Sequence, residues 1–176
     1  MHFEAVYRDH FTPIWRAIRR FGVPEKDALD AAQEVFLIAY RRQDDFEARS
    51  QIKTWLIGIA YRVAANRLRS ATARREVLSH DVLQGQVSLS DPHAEVEQHI
   101  LVELLQAALA YLPLEQRAVF TLFELEELSG DDIAEALGIP VGTVRSRLRL
   151  ARQAFSRAVK HLSQDAAVNE VSEGGL

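Results

Sequence analysis

The segment from residue 129 to residue 153 constrains the fold most, because it combines two helical patterns with a turn of fixed chemistry. Ser129 is placed to cap a first helix, Gly130–Leu137, and Asp132 stands at its third position, where a carboxylate favours the free backbone amides. Gly138 can take the left-handed conformation that ends a helix, and the proline two residues later suits the first turn of the next helix. The segment therefore predicts a helix-turn-helix.

The second helix of this motif has one apolar side and one basic side. Its apolar residues recur at spacings of four and three, so they share a side that faces a core; they are Val144, Leu148, Ala151 and Phe155. The opposite side is the one that a recognition helix presents to the major groove of DNA. A solvated basic face is the alternative, but the capped helix and the Gly-x-Pro turn favour DNA binding. The candidate DNA contacts are Thr143, Arg145, Ser146, Arg147, Arg149 and Arg152.

The charges of the chain are unevenly distributed. The net charge of −4 is the sum of +5 over residues 1–75, −12 over residues 76–136, +6 over residues 137–163 and −3 over residues 164–176. Charge asymmetry of this kind indicates where polyanions can bind, although the total charge does not. Two basic segments, one on either side of an acidic one, predict two separate contacts with DNA.

The composition limits the remaining functional classes. The chain has 176 residues, 48% of them apolar, and no cysteine, which suits one large or two small domains in a reducing compartment. Its N-terminus lacks a signal pattern and its apolar runs are too short to span a bilayer, so we expect a soluble, cytoplasmic protein. The six histidines form no metal-binding motif, and the sequence has no phosphate loop, nucleophile elbow or credible triad. We therefore predict no enzyme activity, no metal site and no cofactor.

The first half of the chain has helical periodicity throughout. The pattern predicts a helix over residues 3–22, either kinked at Pro13 or divided there, and a second helix from Pro24 to about Gln43. The second helix also has an outer strip of mixed acidic and apolar character. Periodicity alone leaves this strip equally compatible with a solvated face and with a protein-binding face. The strip consists of Asp30, Gln33, Glu34 and Leu37.

A third helix, predicted over residues 51–70, has an apolar side and a polar flank. The flank places a tyrosine among cations and amides, which suits unstacked bases, because the ring can stack while arginine contacts phosphate. Such residues are also ordinary on a helix surface, so this pattern alone is a weak indication. The flank consists of Thr54, Gly58, Tyr61, Arg62, Asn66 and Arg69.

No strand pattern competes with these helices, and the fold class predicted is all-α. We expect two small helical domains, residues 1–72 and 98–163, joined by a flexible linker over residues 73–97 that is rich in turn-forming residues. Within the second part, helices are predicted to begin near Asp91-Pro92 and to span residues 114–125. The tail, residues 164–176, is short and acidic and is expected to be disordered.

Three segments of the chain, in this order and at these separations, resemble extracytoplasmic-function (group IV, sigma-70 family) RNA polymerase sigma factors. They are DALDAAQEVFLIAY at 27–40, KTWLIGIAYRVAANRLR at 53–69, and YLPLEQRAVFTL with LSGDDIAEALGIPVGTVRSRLRLAR within 111–152. The resemblance covers nearly the whole chain. It implies that the two domains are sigma region 2 and sigma region 4, and that the protein initiates transcription of a specific set of genes.

The resemblance also implies partners and roles. It assigns the strip Asp30, Gln33, Glu34 and Leu37 to docking on core RNA polymerase, and the recognition helix to the upstream (−35) promoter element. An anti-sigma factor is the usual inhibitory partner of the family. Capture of the start-proximal (−10) element is implied for Arg49, Ser50, Lys53, Tyr61, Arg62, Asn66 and Arg69.

The chain departs from the family pattern at two places. Gly58 stands where the family commonly has arginine, and Arg62 where it commonly has asparagine, so the preferred start-proximal bases can differ. The alternative function is a stand-alone helix-turn-helix regulator whose N-terminal helices form a sensor or dimerisation domain. Such a domain needs a ligand pocket or a phosphoacceptor signature, and neither is evident in the sequence.

Overall fold

The computed structural model describes residues 2–46, 51–78 and 96–173. This part of the chain is helical and contains no strand, as expected for the all-α class. The helices are α1 (Phe3–Arg20), α2 (Glu25–Arg41), α3 (Ile52–Leu78), α4 (Val96–Ala110), α5 (Leu114–Phe120), α6 (Gly130–Leu137) and α7 (Val141–Glu173). A 3-10 turn follows α2 at Gln43–Asp45, and a π-helical turn follows α5 at Thr121–Leu125.

Helices α1, α2 and α3 pack together into an N-terminal unit. Pro13 lies inside α1, which is one helix, so the alternative of two short helices is wrong. The turn between α1 and α2 uses Gly22 at a φ of 104°, a conformation that residues with a side chain rarely adopt. Helix α3 continues past the predicted end at residue 70 to Leu78, because no glycine or proline intervenes to stop it.

The helix-turn-helix forms as its local chemistry predicts. The Ser129 hydroxyl oxygen accepts a hydrogen bond of 3.1 Å from the backbone N–H of Asp132, and Gly138 has a φ of 66°, which ends α6. On α7 the predicted stripe is inside: Val144, Leu148 and Ala151 are buried and Phe155 is half-buried.

Helix α7 extends beyond the boundary predicted at residue 163. It ends at Glu173, so the prediction of a disordered tail from residue 164 differs from the structure up to that residue. The sequence gives the reason, since the first helix-breaking residues after Pro140 and Gly142 are Gly174 and Gly175.

The segment after α5 differs from the single helix predicted over residues 114–125. At Thr121 the backbone changes from α-helical to π-helical bonding, with the Glu126 N–H donating to the Thr121 carbonyl at 3.1 Å. The Leu128 N–H then reaches back to the Leu122 carbonyl at 2.9 Å. This wider turn leads directly into Glu126, whose side chain contacts the N-terminal unit.

The C-terminal unit, α4 to α7, packs against the N-terminal unit. One cluster of buried apolar side chains runs through both, including Phe21 and Ile57 on one side and Leu122 and Ile133 on the other. Helices α3 and α6 form the main contact between the units. The linker predicted over residues 73–97 overlaps both neighbouring helices, because α3 continues to Leu78 and α4 begins at Val96. The rest of that linker, with the helix start predicted at Asp91-Pro92, lies outside the described residues.

Two other kinds of feature are absent from the described part of the chain. No helix there combines the length and the apolar character that crossing a membrane requires. No group of three or more histidine, aspartate or glutamate side chains there lies close enough together to hold a metal ion.

Candidate nucleic-acid interface

The recognition helix α7 presents an open polar face near its N-terminal end. Arg145, Ser146 and Arg149 are exposed, and the Ser146 hydroxyl donates a 3.0 Å hydrogen bond to the Thr143 carbonyl. The two arginines are one helical turn apart, so their guanidinium groups can reach neighbouring base pairs in a groove.

The other two predicted arginines of α7 have more protein around them. The Arg152 Nε donates to the Glu124 carboxylate at 2.7 Å, and its guanidinium lies 5.3 Å from the centre of the Phe123 ring. Arg147 is half-buried, and its positive charge acts on Tyr61 of the N-terminal unit. Arg147 and Arg152 therefore have different surroundings from Arg145 and Arg149.

The residues predicted for the start-proximal element fall into three groups. Arg62, Asn66 and Arg69 are exposed on α3, where an Arg69 guanidinium N–H donates to the Asn66 side-chain oxygen at 2.5 Å. Lys53 and Tyr61 are partly covered by the C-terminal unit. Arg49 and Ser50 lie outside the described residues.

Tyr61 is half-buried between the two units. Its ring meets the ring of Phe21 edge to face at 6.1 Å between centroids. Burial raises the pKa of the Tyr61 hydroxyl, and the negative charge of Glu115 raises this pKa further, against the opposing effect of Arg147. The hydroxyl is therefore neutral at physiological pH.

The polar flank predicted on α3 is interrupted by contact with α6. Thr54 and Gly58 belong to that flank, but both are buried. A β-carbon added to Gly58 would lie 2.6 Å from the backbone carbonyl oxygen of Ala136. The prediction of an open flank is wrong at these two positions, because sequence periodicity does not report which surface a second unit covers.

The strip predicted for protein docking lies on the outer side of α2. Asp30 and Gln33 are exposed, and Leu37 is 58% exposed. Glu34 is partly engaged, since its carboxylate accepts hydrogen bonds of 2.7 and 3.1 Å from Arg67 of α3.

An aromatic cavity lies next to this strip and was not predicted from the sequence. It has a volume of about 330 Å³, and Gln33 and Leu37 belong to its wall. The remaining wall residues are aromatic and come from α1 and α2: Phe3, Tyr7, Phe36 and Tyr40. Aromatic residues spaced four apart on both helices are the signal that could have revealed it.

A charged contact between the two units was also missed. The Glu126 carboxylate lies 2.7 Å from Arg20 and 3.2 Å from Lys53, and the Lys53 ammonium also donates to the Glu126 carbonyl at 3.4 Å. Nearby, Arg117 donates to the Phe21 carbonyl at 3.2 Å, and burial lowers the pKa of its guanidinium. We call the contact of Glu126 with Arg20 and Lys53 the Glu126 clasp.

Two family models match the chain, one in each unit. The model "Sigma-70 region 2" matches residues 6–74, and "Sigma-70, region 4" matches residues 102–162. The first range covers the helices that carry the docking strip and the start-proximal candidates, and the second covers the helix-turn-helix.

Proteins with similar sequences come from several bacteria. The chain is 36% identical over 158 residues to the RNA polymerase sigma-H factor of Pseudomonas aeruginosa, covering 85% of this chain and 81% of that protein. It is 33% identical over 161 residues to the ECF RNA polymerase sigma factor SigM of Mycobacterium tuberculosis, covering 92% of this chain and 79% of that protein. It is 34% identical over 148 residues to the ECF RNA polymerase sigma-E factor of Escherichia coli, covering 80% and 78%.

Solved structures share the fold. The sigma factor RpoE of Bartonella quintana, solved in complex with the anti-sigma factor NepR, superposes with a TM-score of 0.73 at 21% identity, over 90% of this chain and 96% of that one. CnrH, solved with the cytosolic domain of CnrY, gives a TM-score of 0.67 at 23% identity, over 90% and 88%. With the sequence matches and the two family models, these findings show that the chain belongs to the ECF sigma factors of the sigma-70 family.

Proposed function

We propose that this protein is an alternative sigma factor that binds core RNA polymerase, recognises two promoter elements and initiates transcription of a specific set of genes. The observation that carries the proposal is the exposed arginine face of a capped helix-turn-helix in a chain that also matches sigma region 2. A stand-alone regulator would not need a domain that matches sigma region 2.

The upstream element is assigned to the N-terminal part of α7. Arg145, Ser146 and Arg149 are the proposed readers of base edges, because their side chains are exposed and lie on one side of the helix. Thr143 and Arg147 flank this side and are assigned to phosphate. Arg152 contributes positive charge at the edge of the interface, where Glu124 holds it.

The start-proximal element is assigned to α3 and the loop before it. Tyr61 offers a neutral ring for stacking on an unpaired base, and Asn66 offers an amide for hydrogen bonding to one. Phosphate contacts are assigned to Lys53, Arg62 and Arg69, with Arg49 and Ser50 added from the sequence before α3. We infer that Gly58 and Arg62 give this chain its own base preference, since both depart from the family pattern.

Core RNA polymerase is assigned to the outer side of α2. Gln33 and Leu37 are exposed there and line the aromatic cavity, so an apolar side chain of the polymerase has a place to enter. Asp30 and Glu34 add negative charge beside it, which favours a basic partner surface. Glu34 also stabilises the N-terminal unit through Arg67.

An anti-sigma factor is the second protein partner that we propose. The Bartonella quintana structure contains the anti-sigma factor NepR, and the CnrH structure contains the cytosolic domain of CnrY. The exposed apolar side chains of α4, Leu101 and Val102, provide further surface for such a partner.

The experiment that tests the function is run-off transcription with purified core RNA polymerase on a library of promoter fragments. We expect transcripts from a small subset of promoters, and only when both the protein and the core enzyme are present. Sequencing of the transcribed templates then gives the two promoter elements. Specific binding to duplex DNA without any core-dependent transcript would favour the stand-alone regulator instead.

A further inference from the structure

We propose that Leu150 of α7 reads the methyl group of a thymine in the upstream promoter element, and that Gly142 lets the helix approach the groove closely enough for this contact. The inference rests on the assignment of the upstream element to α7. It goes further because it names a type of base and adds two residues that the charge pattern of the sequence did not select.

The exposed side of α7 has two edges of different chemistry. One edge carries arginines at spacings of four and three: Arg145, Arg149 and Arg152. The other edge carries uncharged residues at spacings of three and four: Thr143, Ser146 and Leu150. The two edges therefore suit different chemical groups in the major groove of DNA.

Leu150 lies on the uncharged edge with its side chain open. It is 40% exposed, whereas Leu148, two residues earlier on the apolar stripe of the same helix, is buried. A single exposed leucine is ordinary on a protein surface, so the position of Leu150 matters more than its exposure. That position is one helical turn beyond Ser146, on the side of α7 that we assign to the groove.

The major groove offers a leucine one kind of apolar group, the C5 methyl of thymine. A leucine side chain has no hydrogen-bond donor or acceptor, so it cannot pair with the polar edges of the bases. Contact with a methyl group is favourable because it removes apolar surface from water on both sides. Among the four ordinary bases, thymine is therefore the one that Leu150 can select.

The geometry of α7 limits where this thymine lies. Leu150 follows Arg145 by about 7.5 Å along the helix axis, at about 1.5 Å per residue. Successive base pairs are about 3.4 Å apart along the duplex. The thymine should therefore lie within about two base pairs of the base that Arg145 contacts.

Gly142 supplies a second, independent observation. It is exposed in the first turn of α7, one turn before Ser146. A β-carbon at this position meets nothing within 4 Å in the described part of the chain, and the backbone there does not have a positive φ. Glycine is less favourable than alanine in a helix, so neither the packing nor the backbone conformation explains it.

Close approach to DNA gives a reason for glycine at this position. Glycine is common where a backbone comes near a ligand, and the major groove is only wide enough to admit a helix. The next residue on the same side, Ser146, is also small, and its hydroxyl turns back to donate to the Thr143 carbonyl at 3.0 Å. Gly142 and Ser146 thus keep this side of the helix low, which brings the short side chain of Leu150 near the base edges.

The first arm of the test removes the methyl group from the DNA. The full-length protein selects its preferred duplex from a pool of random duplexes, and each thymine in turn is replaced with deoxyuridine, which lacks only the methyl. Fluorescence anisotropy then measures affinity. We expect one position at which the parent protein loses affinity about fourfold, the size expected for one buried methyl group. With Leu150→Ala, thymine and deoxyuridine should bind equally at that position.

Two variants control this arm. Leu29→Ala removes a leucine of α2 that is 51% exposed and has no assigned DNA contact, so it should keep the loss seen in the parent. Leu150→Met should keep most of that loss, because methionine retains an apolar side chain of similar reach. Alanine and methionine both favour helix, so α7 should stay intact, and circular dichroism checks this.

The second arm adds a methyl group to the protein. Gly142→Ala should lower affinity for the preferred duplex about fivefold or more, because the added methyl crowds a filled interface. Its free energy of unfolding, measured with urea, should be unchanged or higher. Gly130→Ala places the same methyl in open space at the start of α6, and this control should keep the parent affinity.

Three results would overturn the proposal. One is a preferred duplex in which no thymine methyl contributes to affinity, or failure to select any duplex. Another is a methyl effect that Leu150→Ala leaves unchanged; weaker core-dependent transcription in that variant would then assign Leu150 to a protein partner. The third is parent-like DNA affinity with Gly142→Ala.

The proposed function is judged separately by run-off transcription. It fails if the protein gives no core-dependent transcript, whatever the duplex measurements show. A stand-alone regulator would pass the methyl test and fail the transcription test, whereas a sigma factor that does not use Leu150 would do the reverse.

Discussion

At the scale of single residues, neighbouring arginines of α7 have different surroundings. Arg149 is exposed, whereas Arg152 is bonded to Glu124 and lies over the Phe123 ring. An arginine that forms a bidentate contact with a base contributes to sequence discrimination, and one that supplies only charge does not. The two residues therefore make a matched pair for testing which side chain reads sequence.

We expect Arg149→Ala to weaken binding to the preferred duplex by about 1–3 kcal/mol while changing affinity for unrelated duplexes much less. Arg152→Ala, the control, should lower affinity similarly on every duplex. Fluorescence anisotropy on the selected promoter and on scrambled versions measures both. An equal loss on all duplexes for Arg149→Ala would show that this arginine contacts phosphate only.

The cap of α6 gives a second prediction at this scale, one that concerns stability. Replacing Ser129 with alanine removes the acceptor for the Asp132 N–H and should lower the free energy of unfolding by about 1 kcal/mol. Ser156→Ala, at an exposed position of α7, is the control and should change little. Urea denaturation followed by circular dichroism compares them, and equal midpoints for both variants would contradict a role for the cap.

At the scale of elements, local chemistry predicted some parts of the fold and missed others. The start and end of α6 follow from Ser129 and Gly138, because a cap and a left-handed glycine act within one turn. The π-helical turn at Thr121–Leu125 has no comparable local signal. It precedes Glu126, which contacts α1 and α3 far away in the sequence, so its position is linked to contacts that periodicity does not report.

Two further features were not predicted because they also depend on contacts between helices that are distant in the sequence. The aromatic cavity needs α1 and α2 to be placed side by side, and the close contact at Gly58 needs α6 to lie on α3. The sequence predicted α1, α2, α6 and the apolar stripe of α7 correctly, but not which outer face a second helix would cover. The Glu126 clasp was not predicted from the sequence for the same reason, since its charges come from opposite halves of the chain.

Helix α2 supplies a prediction at this scale. Gln33→Ala combined with Leu37→Ala should weaken binding to core RNA polymerase, because both side chains are exposed and line the aromatic cavity. This pair is preferable to changing Glu34, whose bond to Arg67 stabilises the N-terminal unit. Surface plasmon resonance with immobilised core enzyme measures the loss, and unfolding by urea should be unchanged.

The control for this prediction is Leu101→Ala on α4. Leu101 is as exposed and as apolar as Leu37, but it lies on another helix. It should leave core binding intact. Parent-like core affinity in the double variant of α2, or an equal loss with the α4 control, would remove the outer side of α2 from the docking surface.

At the scale of the whole molecule, reading duplex DNA and capturing a single strand are assigned to opposite units. We assign the duplex reader to the beginning of α7, and the strand-capturing residues to α3 and the sequence before it. Taking a base out of its stack costs a few kcal/mol, which contacts to the displaced strand must offset. A defect in these contacts should therefore affect promoter opening and not duplex binding.

We expect replacement of Tyr61 and Asn66 by alanine to leave duplex binding nearly intact and to reduce transcription from a duplex promoter. The same promoter with its start-proximal element already mismatched should partly restore activity, since the cost of opening is then absent. Permanganate footprinting and run-off transcription on both templates measure this. An equal defect on the two templates would assign the pair to overall stability or strand affinity instead.

The exposed face at the beginning of α7 has a consequence in time. A protein whose upstream reader has docked on duplex holds its start-proximal site near the promoter at a high effective concentration, so the later step is intramolecular. Opening then depends on whether the upstream contact outlasts the time that separation of the strands requires. Promoters would be sorted by residence time, and a sequence that binds quickly but releases early would be passed over before any base pair is broken.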